Sequence, residues 1–281
     1  MQMCHARLTY NAETSTLTYE IAPYGTEDYF VVMTQQDDSI AAYDGNYYFG
    51  VMVYWSTSTF QNVRLKVMDE ELETPDAISG KQIAWLGSSV TYGFASDGYS
   101  MVDAIEEEHF GAVCYKYAVS GTTLVNESED SYVARLKQID TSVDLDMLVV
   151  QLSTNDATQG KTLGEISDGV DIDGFDTTTV AGAIEYIIAY AKNTWNCPVV
   201  FYTGTYYESA AYASMVELLL DVQEKWDIGV IDLWNDAEMT ALYETEQYWK
   251  YMSDTIHPTA LGYKEWWTPK FEEYMLNYWG E

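Results

Sequence analysis

The sequence predicts an α/β protein: five parallel strands covered by helices on both faces, preceded by a small all-β module. Three observations carry this. From about residue 80 onward, short and almost wholly apolar segments alternate with amphipathic segments of helical period. Strands of that kind are buried on both faces, as parallel strands are. Before that point polar and apolar residues alternate in a stretch rich in Tyr, Val and Thr, with no helical pattern of useful length.

In the module, residues 1–75, Arg7 to Tyr10 and Thr16 to Ile21 read as a hairpin around Asn11-Ala12-Glu13-Thr14. Tyr29 to Thr34, Tyr47 to Trp55 and Val63 to Met68 read as further strands, with Gly45-Asn46 as turn residues. This is a partial sandwich. An acidic connector, Asp69 to Asp76, leads to the second domain, residues 80–281. Its strands are expected at Gln82–Leu86, Ala112–Tyr117, Asp146–Leu152, Pro198–Thr203 and Gly229–Leu233. Helical patterns cover Met101–Phe110, Asp130–Asp140, Thr178–Trp195, Glu208–Trp226, Ala237–Tyr251 and Leu261–Tyr278. In an open parallel sheet, ligands bind outside the carboxyl ends of the strands, so the loops there are where function is sought.

Composition narrows the function classes. With 45 acidic against 13 basic residues the net charge is −32. That argues against nucleic acid, whose phosphates are neutralised by Lys and Arg. It argues equally against anionic membrane surfaces and anionic polymers, and leaves neutral substrates open. The apolar runs fall well short of the roughly 20 residues a membrane span needs. The chain opens on Met1-Gln2-Met3-Cys4-His5, without the basic start and apolar core of a signal peptide. The expectation is a cytoplasmic protein, or a secreted one whose leader was removed. Cys4, Cys114 and Cys197 are odd in number and widely spaced, which reads as thiols rather than a disulfide scaffold or metal site. No pair of His or acidic residues has ligand spacing, so neither a metal nor a cofactor is expected.

Four loops, expected at the strand ends of one sheet, carry candidate chemistry. The first strand ends in Leu86-Gly87-Ser88-Ser89-Val90-Thr91-Tyr92-Gly93, a small-residue turn that presents a serine hydroxyl at the sheet edge. The second ends in Ser120-Gly121-Thr122, where glycine lets the backbone approach a ligand and offer its N–H. The third ends in Ser153-Thr154-Asn155-Asp156, whose asparagine amide is a donor for an oxyanion. The last is Ser253-Asp254-Thr255-Ile256-His257-Pro258, ahead of the final helix. Histidine ordinarily titrates near pH 6.5 and is the usual general base. Taken singly, each loop reads equally well as a cap or a turn. Together they supply a nucleophile, a base, an acid to orient it and oxyanion donors, which is the set acyl transfer to water requires.

The order Gly-x-Ser, Gly, Asn-Asp, Asp-x-x-His resembles the four motif blocks of the SGNH, or GDSL-type, esterase and lipase superfamily, over roughly residues 80 to 280. The resemblance implies a flavodoxin-like three-layer α/β/α fold. It implies Ser89 as nucleophile, His257 as base and Asp254 as its orienting acid. The oxyanion hole would comprise the backbone N–H groups of Ser89 and Gly121 and the side-chain amide of Asn155. Two positions depart from the family pattern: Ser88 stands where Asp is usual, and Ser153 where Gly is usual. Gly87, Thr91 and Gly93 align the nucleophile with Ser89 rather than Ser88.

His109, after Glu106-Glu107-Glu108, reads as the end of a solvated helix, and His5 as part of the N-terminus, neither with a function. The family acts on varied esters. Aromatic residues near the loops, namely Tyr92, Phe94, Tyr99, Tyr206, Tyr207, Trp266 and Trp267, suit sugar faces, and no long apolar lid is present. The expected substrate is a small-molecule or saccharide O-acyl ester, above all an acetyl ester. A lysophospholipase or thioesterase, and a non-catalytic carbohydrate-binding protein on the same scaffold, are the alternatives.

Overall fold

The computed structural model describes residues 4–11, 14–23, 29–36 and 76–280. The chain divides into two compact units, Met1–Thr74 and Pro75–Glu281. In the first, β1 (Cys4–Asn11), β2 (Thr16–Pro23) and β3 (Phe30–Gln36) form an antiparallel meander. Arg7 faces Glu20 across β1 and β2 and donates to it at 2.8 Å, a cross-strand pair that favours this register. The expected strands at Tyr47–Trp55 and Val63–Met68 lie outside the described residues.

The second unit is built on five parallel strands: β4 (Gln82–Gly87), β5 (Val113–Ala118), β6 (Met147–Gln151), β7 (Val199–Tyr202) and β8 (Gly229–Ile231). Their spatial order is β5-β4-β6-β7-β8. The strand order therefore reverses at β4, and the crevice between β4 and β6 is the topological switch point at which such sheets bind ligands. Successive residues feed opposite cores. Ala84, Leu86, Leu148, Val150 and Phe201 face one side, while Ile83, Trp85, Val149, Val200 and Tyr202 face the other. Helices cover both faces, giving three layers.

Over the first face lie α3 (Tyr132–Leu136), α5 (Val180–Thr194) and α6 (Ala210–Trp226). Over the second lie α2 (Met101–Glu108) and the final helix α10 (Thr268–Gly280), whose Phe271 and Met275 are buried. Short helices at or near strand ends are α1 (Ser89–Tyr92) and α4 (Thr154–Thr158). The C-terminal third adds α7 (Ala237–Thr240), α8 (Tyr248–Tyr251) and α9 (Ala260–Gly262). Side chains start the longer helices: Ser100 forms a capping box with Asp103, and Thr179 and Ser209 cap α5 and α6.

Two helical expectations need correction. The pattern over 237–251 is not one helix, because Glu244 adopts φ 59° and a new turn starts at Thr245, whose hydroxyl accepts from the Tyr248 N–H at 3.2 Å. The pattern over 261–278 contains a π-helical turn at Tyr263–Trp267. Tyr263, Trp266 and Trp267 in that turn are all buried against the second core. Among the described residues, no helix is long and apolar enough to cross a membrane.

Candidate active site

The first strand-end turn is built around close approach. At Gly87 a Cβ would lie 1.7 Å from the Thr91 hydroxyl, so only glycine lets the chain fold back into α1 here. The turn is then held from several sides. The Gln151 side-chain oxygen, at the end of β6, accepts from the Ser88 N–H at 2.9 Å and from the Thr91 hydroxyl at 2.9 Å. The Tyr202 hydroxyl lies 2.6 Å from the Thr91 hydroxyl. Tyr263 donates to the Val90 carbonyl at 2.6 Å and Ser100 to the Thr91 carbonyl at 2.9 Å. Ser89 is thereby fixed at the sheet edge, buried but for its opening to the histidine.

The His257 Nε2 lies 2.8 Å from the Ser89 Oγ, and its Nδ1 lies 2.8 Å from the Asp254 Oδ2. The other Asp254 oxygen accepts the backbone N–H groups of Ile256 and His257, both at 2.7 Å. Burial pushes the Asp254 carboxyl up, but these hydrogen bonds outweigh it and hold the group below its usual range. With an ionised carboxylate at Nδ1, the ring keeps its proton there and turns the Nε2 lone pair to the serine. The loop itself is closed by Ser253 N–H donating to the His257 carbonyl and Thr259 N–H to that of Tyr251, each at 2.8 Å. The exposed Phe94 ring leans on the imidazole at 5.3 Å.

Gly121 adopts φ 82°, which an L side chain rarely takes, and is exposed. The next residue, Thr122, offers its carbonyl to the Asn155 amide at 2.9 Å, which sets the orientation of that amide and leaves its second N–H to spare. The adjacent Asp156 is buried and accepts the N–H groups of Leu124 and Val125 at 2.8 and 3.2 Å, drawing the Gly121 loop down beside β6. Burial raises its pKa more than these bonds lower it. The family-departing Ser153 is the buried N-cap of α4. The hydroxyl of buried Tyr132 lies beside both Ser88 and Ser153.

Thus Ser89, His257 and Asp254 form one hydrogen-bonded chain, while Asn155 meets the carbonyl next to Gly121. Gln151, and Arg135, whose buried guanidinium donates to the Gly87 carbonyl at 2.8 Å, were not singled out from the sequence. Gln151 had a signal, being the polar end of an otherwise apolar strand segment. Arg135 had none, since a lone arginine in a helical pattern looks solvated. Two readings change. His109 is not at a solvated end: it is buried between Asp76, at 2.5 Å, and Glu272, at 3.0 Å. Tyr207, Trp266 and Trp267 are buried in the cores, so these rings are mainly structural. Tyr92 and Phe94 remain exposed beside Ser89. The side chain of His5 lies outside the described residues.

A recess of about 440 Å³ opens at the carboxyl end of β7, lined by Tyr206, Tyr207, Glu208, Ser209 and Trp234 among others. Among the described residues, no group of three or more His, Cys, Asp or Glu stands close enough to hold a metal.

Comparison with known proteins agrees with this architecture. No curated protein matches the chain. A protein from Lactobacillus plantarum, 21% identical, superposes with a TM-score of 0.59 over 69% of this chain and 96% of its own. A possible lipase from Chitinophaga pinensis, 15% identical, gives 0.51 over 70% and 98%. At these identities the likeness is one of fold. The family model of GDSL-like lipases and acylhydrolases matches residues 85–265, which spans the serine turn, both donor loops and the histidine loop. This chain belongs to the GDSL-like lipase/acylhydrolase family.

Proposed function

We propose that this protein is a serine esterase that removes short acyl groups, above all acetyl, from the hydroxyl oxygens of a carbohydrate. The observation that carries the hydrolase chemistry is the chain Ser89 Oγ, His257 Nε2, His257 Nδ1, Asp254 Oδ2, with both contacts at 2.8 Å. Ser89 Oγ attacks the acyl carbon as its proton passes to His257 Nε2. The carbonyl oxygen takes up the negative charge and is met by the N–H groups of Ser89 and Gly121 and the Asn155 amide. The C–O bond to the leaving alcohol then breaks, and that oxygen receives the proton from His257. Water repeats the sequence on the acyl-enzyme and returns Ser89 to its starting state. Asp254 stays ionised and stabilises the imidazolium at each step.

Three features favour a neutral saccharide ester. The charge of −32 repels anionic substrates. The exposed rings of Tyr92 and Phe94 border the serine, and suit the apolar faces of a pyranose. The recess beside Tyr206 and Trp234 is large enough for a sugar ring, with Glu208 at hand to accept its hydroxyls. The test has two parts. A fluorophosphonate should add its mass to Ser89, and absence of labelling points to a non-catalytic binding protein. Acetylated sugars and an aryl ester series of rising chain length should show activity greatest for acetyl. A maximum at long chains would instead indicate a lysophospholipase or thioesterase.

A further inference from the structure

Arg135 is 4% exposed, yet among the described residues it forms no ion pair. Its guanidinium donates to three backbone carbonyls, those of Asp130 at 2.9 Å, Gly87 at 2.8 Å and Tyr117, and to the Thr122 hydroxyl at 2.9 Å. A charge so deeply buried is ordinarily paired. Carboxylates are plentiful in a chain with 45 acidic residues, so the missing partner is not a matter of supply. Burial lowers its pKa, while the Asp130 carboxylate favours the charged form without bonding to it; a guanidinium remains protonated in either case.

The place of this cation is informative. Gly87 stands two residues before Ser89, and Thr122 directly follows Gly121. The Thr122 carbonyl in turn receives the Asn155 amide. One guanidinium thus bonds the Gly87 carbonyl and the Thr122 side chain, in the two segments that carry the backbone oxyanion donors, and Thr122 in turn orients the third donor through its carbonyl. We propose that Arg135 is a positioning residue that also acts electrostatically. It holds the Gly87–Ser89 turn and the Gly121–Thr122 loop together, and its charge, to which no carboxylate is directly bonded among the described residues, favours the oxyanion that forms between them. This rests on the esterase reading above. A carboxylate partner would hold the loops equally well but would cancel that field. Neutral carbonyls hold them and leave it, and the burial of the guanidinium itself limits how far solvent screens its charge.

The test separates charge from scaffolding. Arg135→Gln keeps hydrogen-bond donors but no charge, Arg135→Lys keeps charge but loses the fork, and Thr122→Val removes one acceptor and leaves the charge. Each is assayed on p-nitrophenyl acetate and for affinity to phenylboronic acid, which forms a tetrahedral anion on an active serine. Arg135→Gln should lower kcat about 10- to 100-fold with KM within about twofold, and weaken the boronate by the same factor. Arg135→Lys should stay within about fivefold of the parent in both measures, and Thr122→Val, which loosens one contact but keeps the charge, should lose clearly less than Arg135→Gln. Equal losses in the Lys and Gln variants, a loss confined to KM, or an unchanged boronate affinity in Arg135→Gln overturns the proposal. If Arg135→Gln does not fold, the other two decide: retention in both supports the charge, and a loss of about 100-fold in either overturns it. A parent protein that neither hydrolyses any ester nor binds boronate removes the esterase reading itself. An active parent with an unimpaired Arg135→Gln removes only the role of Arg135.

Discussion

The side-chain oxygen of Gln151 lies 2.9 Å from the backbone nitrogen of Ser88, beneath the turn that carries Ser89. The same oxygen is approached by the Ser88 hydroxyl at 3.3 Å and by the Thr91 N–H and hydroxyl at 3.3 and 2.9 Å. Gln151 is 1% exposed, so water cannot take its place. Gln151→Leu should cost about 2 to 4 kcal/mol of stability, because several buried donors lose their acceptor at once. Guanidinium chloride unfolding measures this, and kcat should fall as the serine turn loosens.

Ser89→Ala and His257→Ala should each reduce ester hydrolysis by about 10⁴-fold or more, since the members of such a unit act together. Neither removes core volume, so thermal unfolding should be nearly unchanged. If Ser89→Ala keeps most of its activity on an aryl acetate, the nucleophile is assigned wrongly.

Asp254→Asn should lower kcat by about 10² to 10⁴, through loss of the tautomer and of support for the imidazolium. The pH dependence of Asp254 has a definite sign. Its carboxyl is held below the usual range, so its contribution to loop stability is present above the unfolded carboxyl pKa. That contribution is lost as pH falls through the lower, folded value. Protease nicking of the 253–258 loop, followed against pH, should therefore increase only in the acid range.

Asn155→Ala should cost about 10² to 10³ in kcat with little change in KM, the signature of a donor used mainly in the transition state. Asn155→Asp places a carboxylate where negative charge develops and should be at least as damaging. A steady-state series on p-nitrophenyl acetate resolves both.

His109 provides a test remote from the site. Burial works against its charged form, but hydrogen bonds from the ring to Glu272 and Asp76 outweigh that and raise its pKa. A raised pKa contributes stability that is full below the unfolded value near 6.5 and is lost as pH rises through the folded one. Asp76, held low with His109 as partner, loses its contribution only in acid. Glu108 is raised by burial and by Glu272, with His109 and then Lys264 partly opposing, so it too favours lower pH. The stability difference between the parent and His109→Gln should be greatest near pH 5 to 6 and shrink toward pH 8 to 9. Thermal unfolding across that range measures it.

The strands of the second unit were legible because β4, β6 and β7 are short apolar runs bounded by turn residues, and burial on both faces leaves no other use for them. The serine, asparagine and histidine loops were legible because each lies where a strand or helix must stop. The helix over 237–251 misled because hydrophobic periodicity says nothing of a residue at positive φ such as Glu244. His109 misled because its neighbours in sequence are acidic and solvated, while its partners come from the domain's first residues and its last helix.

By itself the sequence determined the order of strands and helices and the residue types at their ends, since hydrophobic period and turn chemistry act over a few residues. Tertiary structure alone decided what those ends do together. His257 and Ser89 are 168 residues apart, Gln151 and Ser88 63, and Arg135 and Gly87 48. Only the parallel sheet, ordered β5-β4-β6-β7-β8, brings such distant residues to one edge, where burial makes each hydrogen bond costly to leave unmade.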